Sequence, residues 1–198
     1  MKKIRETENL KRRLFMCLLG IIVCGISVGF FRRASFGMDP FQTLMFGLDT
    51  VLPISYGVMY ILANLLLLLF ALFADRHFIG LGTVFNLFLS GYIVDFSRNA
   101  LFRLLPDLEI PGRIVCLGIA ILLLCLSSSF YFTADLGVST YDAVALIITQ
   151  TWHKGQFRWV RILTDFVCVL GGIGFFLLSG SDRQELWALI GFATIITA

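Results

Sequence analysis

Charge is scarce in this chain: acidic and basic residues make up only 15% of its 198 positions, against about 25% in average soluble domains. Histidine occurs twice, as His77 and His153 in short polar segments, and neither belongs to an HExxH or other ligand arrangement. There is no GxSxG elbow, no phosphate-binding glycine loop and no dinucleotide fingerprint. These absences remove the usual starting points for hydrolase, nucleotide-dependent and metal chemistry, so the reading is of a non-enzyme with no cofactor and no metal. The five cysteines, Cys17, Cys24, Cys116, Cys125 and Cys168, show no CxxC or CxxxC spacing. They support neither a zinc site nor a disulfide framework and read as small apolar packing residues.

Net positive charge is also missing from most of the chain. The net charge is +3, but residues 1–13, MKKIRETENLKRR, hold six Lys or Arg against two Glu, which is +4 and leaves −1 for the remainder. No basic face is left for nucleic acid. The basic tail reads instead as an anchor that holds the amino terminus in the cytoplasm by the positive-inside rule.

What is abundant is apolar: 58% of residues, with Phe alone occurring 20 times. These residues fall in blocks at 14–31, 54–74, 78–97, 114–133 and 159–179, each near the roughly 20 residues that cross a bilayer core. A sixth begins at Leu186 and runs 13 residues to Ala198, short of a full crossing, so the expectation is a truncated last span. The first block competes with a signal-peptide reading, but its 18 residues end in Phe30, Phe31, Arg32, Arg33 and not in a small-residue cleavage site. It reads as a retained span.

Sliding the sequence by 100 positions places ASFGMDPFQTL (Ala34 to Leu44) over ADLGVSTYDAV (Ala134 to Val144), and upstream Ser27 over Ser127. At an offset of 101 Asn64 meets Asp165, and at 111 Gly82-Thr83 meets Ala193-Thr194. Each half therefore reads as span, polar motif with a short helix, span, turn, span. An odd number of spans per half makes the second half enter with the opposite orientation, an inverted repeat of the kind that organises many secondary transporters. The expected fold is an all-α polytopic membrane protein of about six helices in two inverted three-helix repeats. Its parts are a tail at 1–13, repeats at 14–99 and 114–198, and a connection at 100–113. With the first motif outside, inner segments hold ten Lys or Arg (six in the tail, with Arg76, Lys154, Arg158 and Arg161) and outer ones six (Arg32, Arg33, Arg98, Arg103, Arg113, Arg183).

Both motifs have the form of a helix start. Asp39 precedes Pro40 with Gln42 three residues on; Ser139 stands three residues before Asp142. Both fit a capping box, the first with proline at the first helical position. Gly37 and Gly137, two residues before each cap, permit a left-handed turn. The spacing predicts a break in the first span of each half and a short helix, about 41–50 and 141–151, whose free amides face inward and suit an anionic group. The competing reading makes both motifs interfacial loops.

Within the spans, Thr83, Asn86 and Ser90 form a polar stripe beside Gly82, and Arg161 stands four residues before Asp165, in reach of an ion pair. Polar groups at this depth face a partner helix or a cavity. Candidate solute- or ion-binding residues are Gly37, Asp39, Gly137, Ser139, Asp142, Asn64, Asp165, Thr83 and Asn86, with Asp165 the group that responds to protons or cations. Arg32 and Arg33 read as snorkelling residues, or as one arginine turned into the cavity to bind an anion. Gly25 and Gly29 form a GxxxG that permits close helix packing and leaves a homo-oligomer open.

The two AxxG motifs, the GLGTVFNLFLSGYIVD segment that closes the first half and GFATIITA near the end of the second resemble the bacterial YczE/YyaS/YitT-like membrane proteins. The resemblance implies a multi-pass protein of the bacterial cytoplasmic membrane, to which the label of transporter attaches through topology. This sequence departs from the repeat at Thr140, where the first half has Pro40, and at Ala193, where it has Gly82. The leading expectation is a secondary transporter for a small anionic or zwitterionic solute bound near the midplane between the repeats, with lipid and solute as its partners. The alternative is a non-transporting accessory or regulatory protein acting through a partner.

Overall fold

A computed structural model describes residues 2–180 together with Gly191 and Thr194, with side chains from residue 10 onward. The described chain is helical throughout: α1 (Lys2–Ala34), α2 (Pro40–Val51), α3 (Tyr56–Ala74), a 3₁₀ turn (Arg76–Phe78), α4 (Leu81–Leu104), α5 (Ile110–Ala134), α6 (Thr140–Leu146), extended by a π-turn (Ile147–Thr151), and α7 (Phe157–Leu178). Four stretches are long and apolar enough to cross a membrane: Leu10–Ala34 of α1, and all of α3, α5 and α7. The third expected span, α4, has the length at 24 residues but not the apolarity, because its polar stripe is followed by Asp95, Ser97 and Arg98. The expected sixth span lies outside the described residues except for Gly191 and Thr194.

The outward faces explain the composition. Phe73 is 90% exposed, Phe96 75% and Leu66 70%, and Leu122, Phe132, Leu163 and Phe166 are also exposed. So much apolar surface on several helices would be a severe aggregation hazard in water; in lipid it meets matching solvent. The core is correspondingly small. Phe31, Met38, Met45, Phe46, Tyr56 and Phe176 are each at most 2% exposed and form one cluster with Tyr60 and Val94.

The most extensive packing joins α1 to α5, followed by α1 to α4 and α2 to α7. Three contacts set the α1–α5 pair antiparallel. The Arg13 guanidinium donates to the Ala134 carbonyl at 2.7 Å, the Ser127 hydroxyl to the Gly20 carbonyl at 3.0 Å, and the Ser27 hydroxyl to the Ala120 carbonyl at 2.7 Å. The last two are reciprocal: Ser27 and Ser127 are 100 positions apart, as are Gly20 and Ala120. Hydroxyl-to-carbonyl bonds between helices are well suited to a medium in which packing gains little from burial alone.

Both polar motifs break the chain where the sequence places the break. After α1 the backbone turns left-handed at Ser35 (φ 56°) and Gly37 (φ 101°); after α5 it does so at Asp135 (φ 47°) and Gly137 (φ 105°). The turns are pressed against other backbone. A Cβ on Gly37 would lie 2.5 Å from the Gly191 nitrogen, and one on Gly137 would lie 2.5 Å from the Gly80 nitrogen. Threonine closes each contact: Thr194 Oγ1 accepts from the Met38 amide at 3.1 Å, and Thr83 Oγ1 donates to the Val138 carbonyl at 2.6 Å. Gly137→Ala therefore combines a disfavoured φ with a backbone collision. It should lower stability by on the order of 3 kcal/mol, and Gly37→Ala should do the same. Thermal melts of the purified variants followed by size-exclusion chromatography check this, with Gly118→Ala, which meets no neighbour, as the control expected to melt like the parent.

Candidate functional site

The two short helices start at the edge of one cavity. Asp39 caps α2, its carboxylate accepting from the Gln42 amide at 3.1 Å, and Ser139 caps α6, its hydroxyl accepting from the Asp142 amide at 3.0 Å. The capping boxes do not close reciprocally. Gln42 turns away to accept from the Tyr56 hydroxyl. The Asp142 carboxylate accepts from the Ser139 hydroxyl at 2.7 Å and from Arg161. Competing partners on α3 and α7, absent from any local sequence window, take both side chains.

The cavity has a volume of about 180 Å³ and is walled by α1, α5, α3 and the two helix starts. Asp39, Ser139, Asp142, Asn64 and Asn86 line it, so five of the nine candidate residues come together there. Asp165 stands directly behind this lining. It is 2% exposed, accepts from the Tyr141 hydroxyl at 2.5 Å and faces the Arg161 Nε at 3.5 Å. Both of those partners line the cavity. Gly37, Gly137 and Thr83 do not; they form the turns that carry the lining. Asn86 accepts from Ser90 within the α4 stripe.

Arg161 is the electrostatic centre. Besides facing Asp165 it pairs with Asp142 across from α7 to α6, and its guanidinium lies 4.4 Å from the Tyr141 ring centroid. The expected i,i+4 pair is present, but the partner from α6 was not legible from spacing along one helix. Asn64, matched to Asp165 by the repeat, occupies the equivalent ninth position of its helix. It is 2% exposed, donates to the Tyr60 carbonyl at 2.8 Å and accepts from Thr140. The matched aromatics Phe41 and Tyr141 stack on each other, with centroids 4.9 Å apart. Sequence reasoning left Tyr141 out of the candidate set. Its signal was there: a hydroxyl added at the position equivalent to Phe41, two residues past a cap.

Neither Arg32 nor Arg33 lines the cavity. Arg33 donates to the Leu105 carbonyl at 2.6 Å and to Pro106, at the carboxyl end of α4, where a cation opposes the helix dipole favourably. The Arg32 guanidinium lies over Phe46 at 4.5 Å.

The model of a family of unknown function (DUF6198) matches residues 11–198. The chain belongs to this family. It is similar to the "Uncharacterized membrane protein YczE" of Bacillus subtilis (strain 168), 23% identical over 198 residues that cover 98% of this chain and 83% of the relative. It is also similar to the "Uncharacterized protein YyaS" of the same organism, 22% identical over 131 residues that cover 66% of this chain and 65% of the relative. No solved structure matches. The sequence resemblance is thereby shown, and this DUF6198 member is a helical membrane protein.

Removing Arg161 leaves the half-buried Asp142 and the buried Asp165 uncompensated. Arg161→Met should therefore cost about 3 kcal/mol, and adding Asp142→Asn and Asp165→Asn to it should recover most of that loss. Melting temperatures of the single and triple variants test the assignment. A triple variant no more stable than Arg161→Met would show that the carboxylates are not what Arg161 stabilises.

Proposed function

We propose that this DUF6198 protein is a secondary transporter for a small polar solute, bound in the cavity between two inverted halves of a cytoplasmic-membrane protein. The observation that carries the reading is the doubled construction of the cavity. Two chain breaks 100 residues apart, each with a left-handed glycine, a capped short helix and a Gly-Thr contact, reach one chamber. The reciprocal serine bonds between α1 and α5 support a two-fold relation of the halves, as does the stacking of matched Phe41 on Tyr141. Packing of α2 on α7 and of α3 on α6 interleaves the halves, which suits rocking of one against the other around a shared site.

Irregular backbone at membrane depth is tolerated where it is buried in protein or lines a cavity. A chamber walled by helix starts and a half-buried Arg-Asp cluster is the arrangement expected of a solute path and is costly for a merely structural bundle. Asp165, held by Tyr141 and Arg161, is the group we assign to coupling: protonation would release Arg161 and change its hold on Asp142. The amino-terminal tail is assigned to the cytoplasm, with residues 105–109 on the opposite side.

Two measurements test this. A reporter fused at the amino terminus should be active only in the cytoplasm, and a tag inserted at Asp107 should be reached only from outside. In proteoliposomes, a panel of small solutes should include at least one whose uptake depends on the protein and falls about tenfold or more in Asp165→Asn. If every flux is unchanged by that variant and none depends on the protein, the transport reading is wrong.

A further inference from the structure

We propose that the cavity selects a small organic cation, a compact primary or methylated amine, and not an anion. The proposal rests on the reading of the cavity as a solute site and changes the expected charge of the solute. Anion binding was expected from free amides at two helix starts. At each start a cap side chain already occupies one of those amides: the Asp39 carboxylate takes the Gln42 amide at 3.1 Å and the Ser139 hydroxyl takes the Asp142 amide at 3.0 Å. The positive end of α2 thus already faces a carboxylate, and α6 has only seven helical residues.

Charge balance points the same way. Asp39 and Asp142 line the chamber with Asp165 directly behind them, and Arg161 is the one cationic side chain lining it among the described residues. Arg161 is already engaged by Asp142 and Asp165. Among the described residues Asp39 makes no salt bridge and meets Arg161 only through its longer-range field, and a carboxylate in a mostly apolar chamber favours an incoming positive charge.

The remaining wall suits a cation as well. Phe41 and Tyr60 present connected aromatic surface, meeting edge-on with centroids 5.8 Å apart, while the faces of Tyr141 are taken by Phe41 and Arg161. Aromatic faces around a carboxylate are the recognition chemistry of alkylammonium groups. Tyr131 also lines the chamber, and its hydroxyl is buried with no hydrogen-bond partner among the described residues. That is an independent sign of a missing polar contact, which an ammonium N–H or a solute hydroxyl would supply. The volume, about 180 Å³, sets the size: a cavity of about 150 Å³ accepts benzene, so the solute has roughly five to eight heavy atoms.

The test uses three compact probes of similar bulk and different charge: tetramethylammonium, tert-butanol and pivalate. Each is titrated calorimetrically against the full chain in nanodiscs. Tetramethylammonium should bind saturably and the other two should not. Asp39→Asn keeps the helix cap and should weaken that binding about tenfold or more, while Asp107→Asn in the exposed connection should leave it unchanged. If Asp39→Asn does not fold, Asp39→Ser, also a good cap, carries the same expectation. Pivalate binding as tightly as tetramethylammonium, absence of tetramethylammonium binding, or its indifference to the Asp39 variants overturns the cation assignment. Saturable tetramethylammonium binding without uptake in proteoliposomes would keep the site and remove the transport reading. Uptake of pivalate without tetramethylammonium binding would do the reverse.

Discussion

The structure depends on two backbone contacts, Gly37 against Gly191 and Gly137 against Gly80. A chain that breaks its helix inside packed protein must find protein partners for the backbone groups it frees. Here the partners are supplied by another helix start. The Gly82 amide donates to the Leu136 carbonyl at 2.8 Å, the Val138 amide to the Phe78 carbonyl at 3.1 Å, and the Thr83 and Thr194 hydroxyls take the next groups in line. Only glycine permits the approach, since a side chain at Gly137 would overlap the Gly80 backbone. The break is therefore fixed by packing at a distance of more than 50 residues in sequence, and what it creates is a place where helices start inside the protein instead of at its surface.

Everything polar in the interior follows from that placement. A helix start brings its cap with it, so Asp39 and Ser139 arrive at the chamber as structural necessities before they are anything else. Once a carboxylate is there, the neighbouring helices must answer it. α7 does so with Arg161, which holds Asp142 and Asp165 together and lies on the Tyr141 ring. α3 answers with neutral groups, Asn64 bonding to Thr140 and Tyr56 to Gln42. Holding a half-buried cation among three carboxylates, one of them the buried Asp165, is costly for stability, and a bundle selected for stability alone would do better with apolar side chains at these positions.

Much of this was legible in the sequence, and the division is physical. Spans are legible because lipid imposes a length and a composition on each one separately. The breaks at Gly37 and Gly137 and the caps at Asp39 and Ser139 are legible because turn and cap chemistry is local. What escaped is what depends on a partner distant in sequence. Gln42 satisfied the local rule for a capping box, yet it serves Tyr56, 14 residues away. Arg161 was paired with Asp165 on its own helix, but its closer partner is Asp142 on another. Arg33, a plausible anion ligand by its position, caps the end of α4, 72 residues on. α4 is less apolar than the four clear spans, and its Thr83 serves the second motif by donating to the Val138 carbonyl. The repeat partly compensated for this locality: matching Gly82-Thr83 to Ala193-Thr194 put Thr194 where it meets Met38.

The repeat also shows how a symmetric frame carries unsymmetric chemistry. At equivalent positions the first half has Gln42, Tyr60 and Asn64 where the second has Asp142, Arg161 and Asp165. The first set makes neutral hydrogen bonds; the second makes an ion cluster. Outside the chamber the same asymmetry recurs. Arg13 caps α5 and pairs with Asp135 at 2.9 Å, whereas the position equivalent to Asp135 is Ser35, whose hydroxyl donates to the Arg32 carbonyl on its own chain segment. The charged set is thus confined to one side of the cavity, where Asp142, Arg161 and Asp165 pair with one another, while the matched residues of the other side hold neutral partners. Asp39, the carboxylate of the neutral half, lies across from that cluster in the same cavity, so a positively charged occupant would face a carboxylate in each half and join them electrostatically where the protein itself does not.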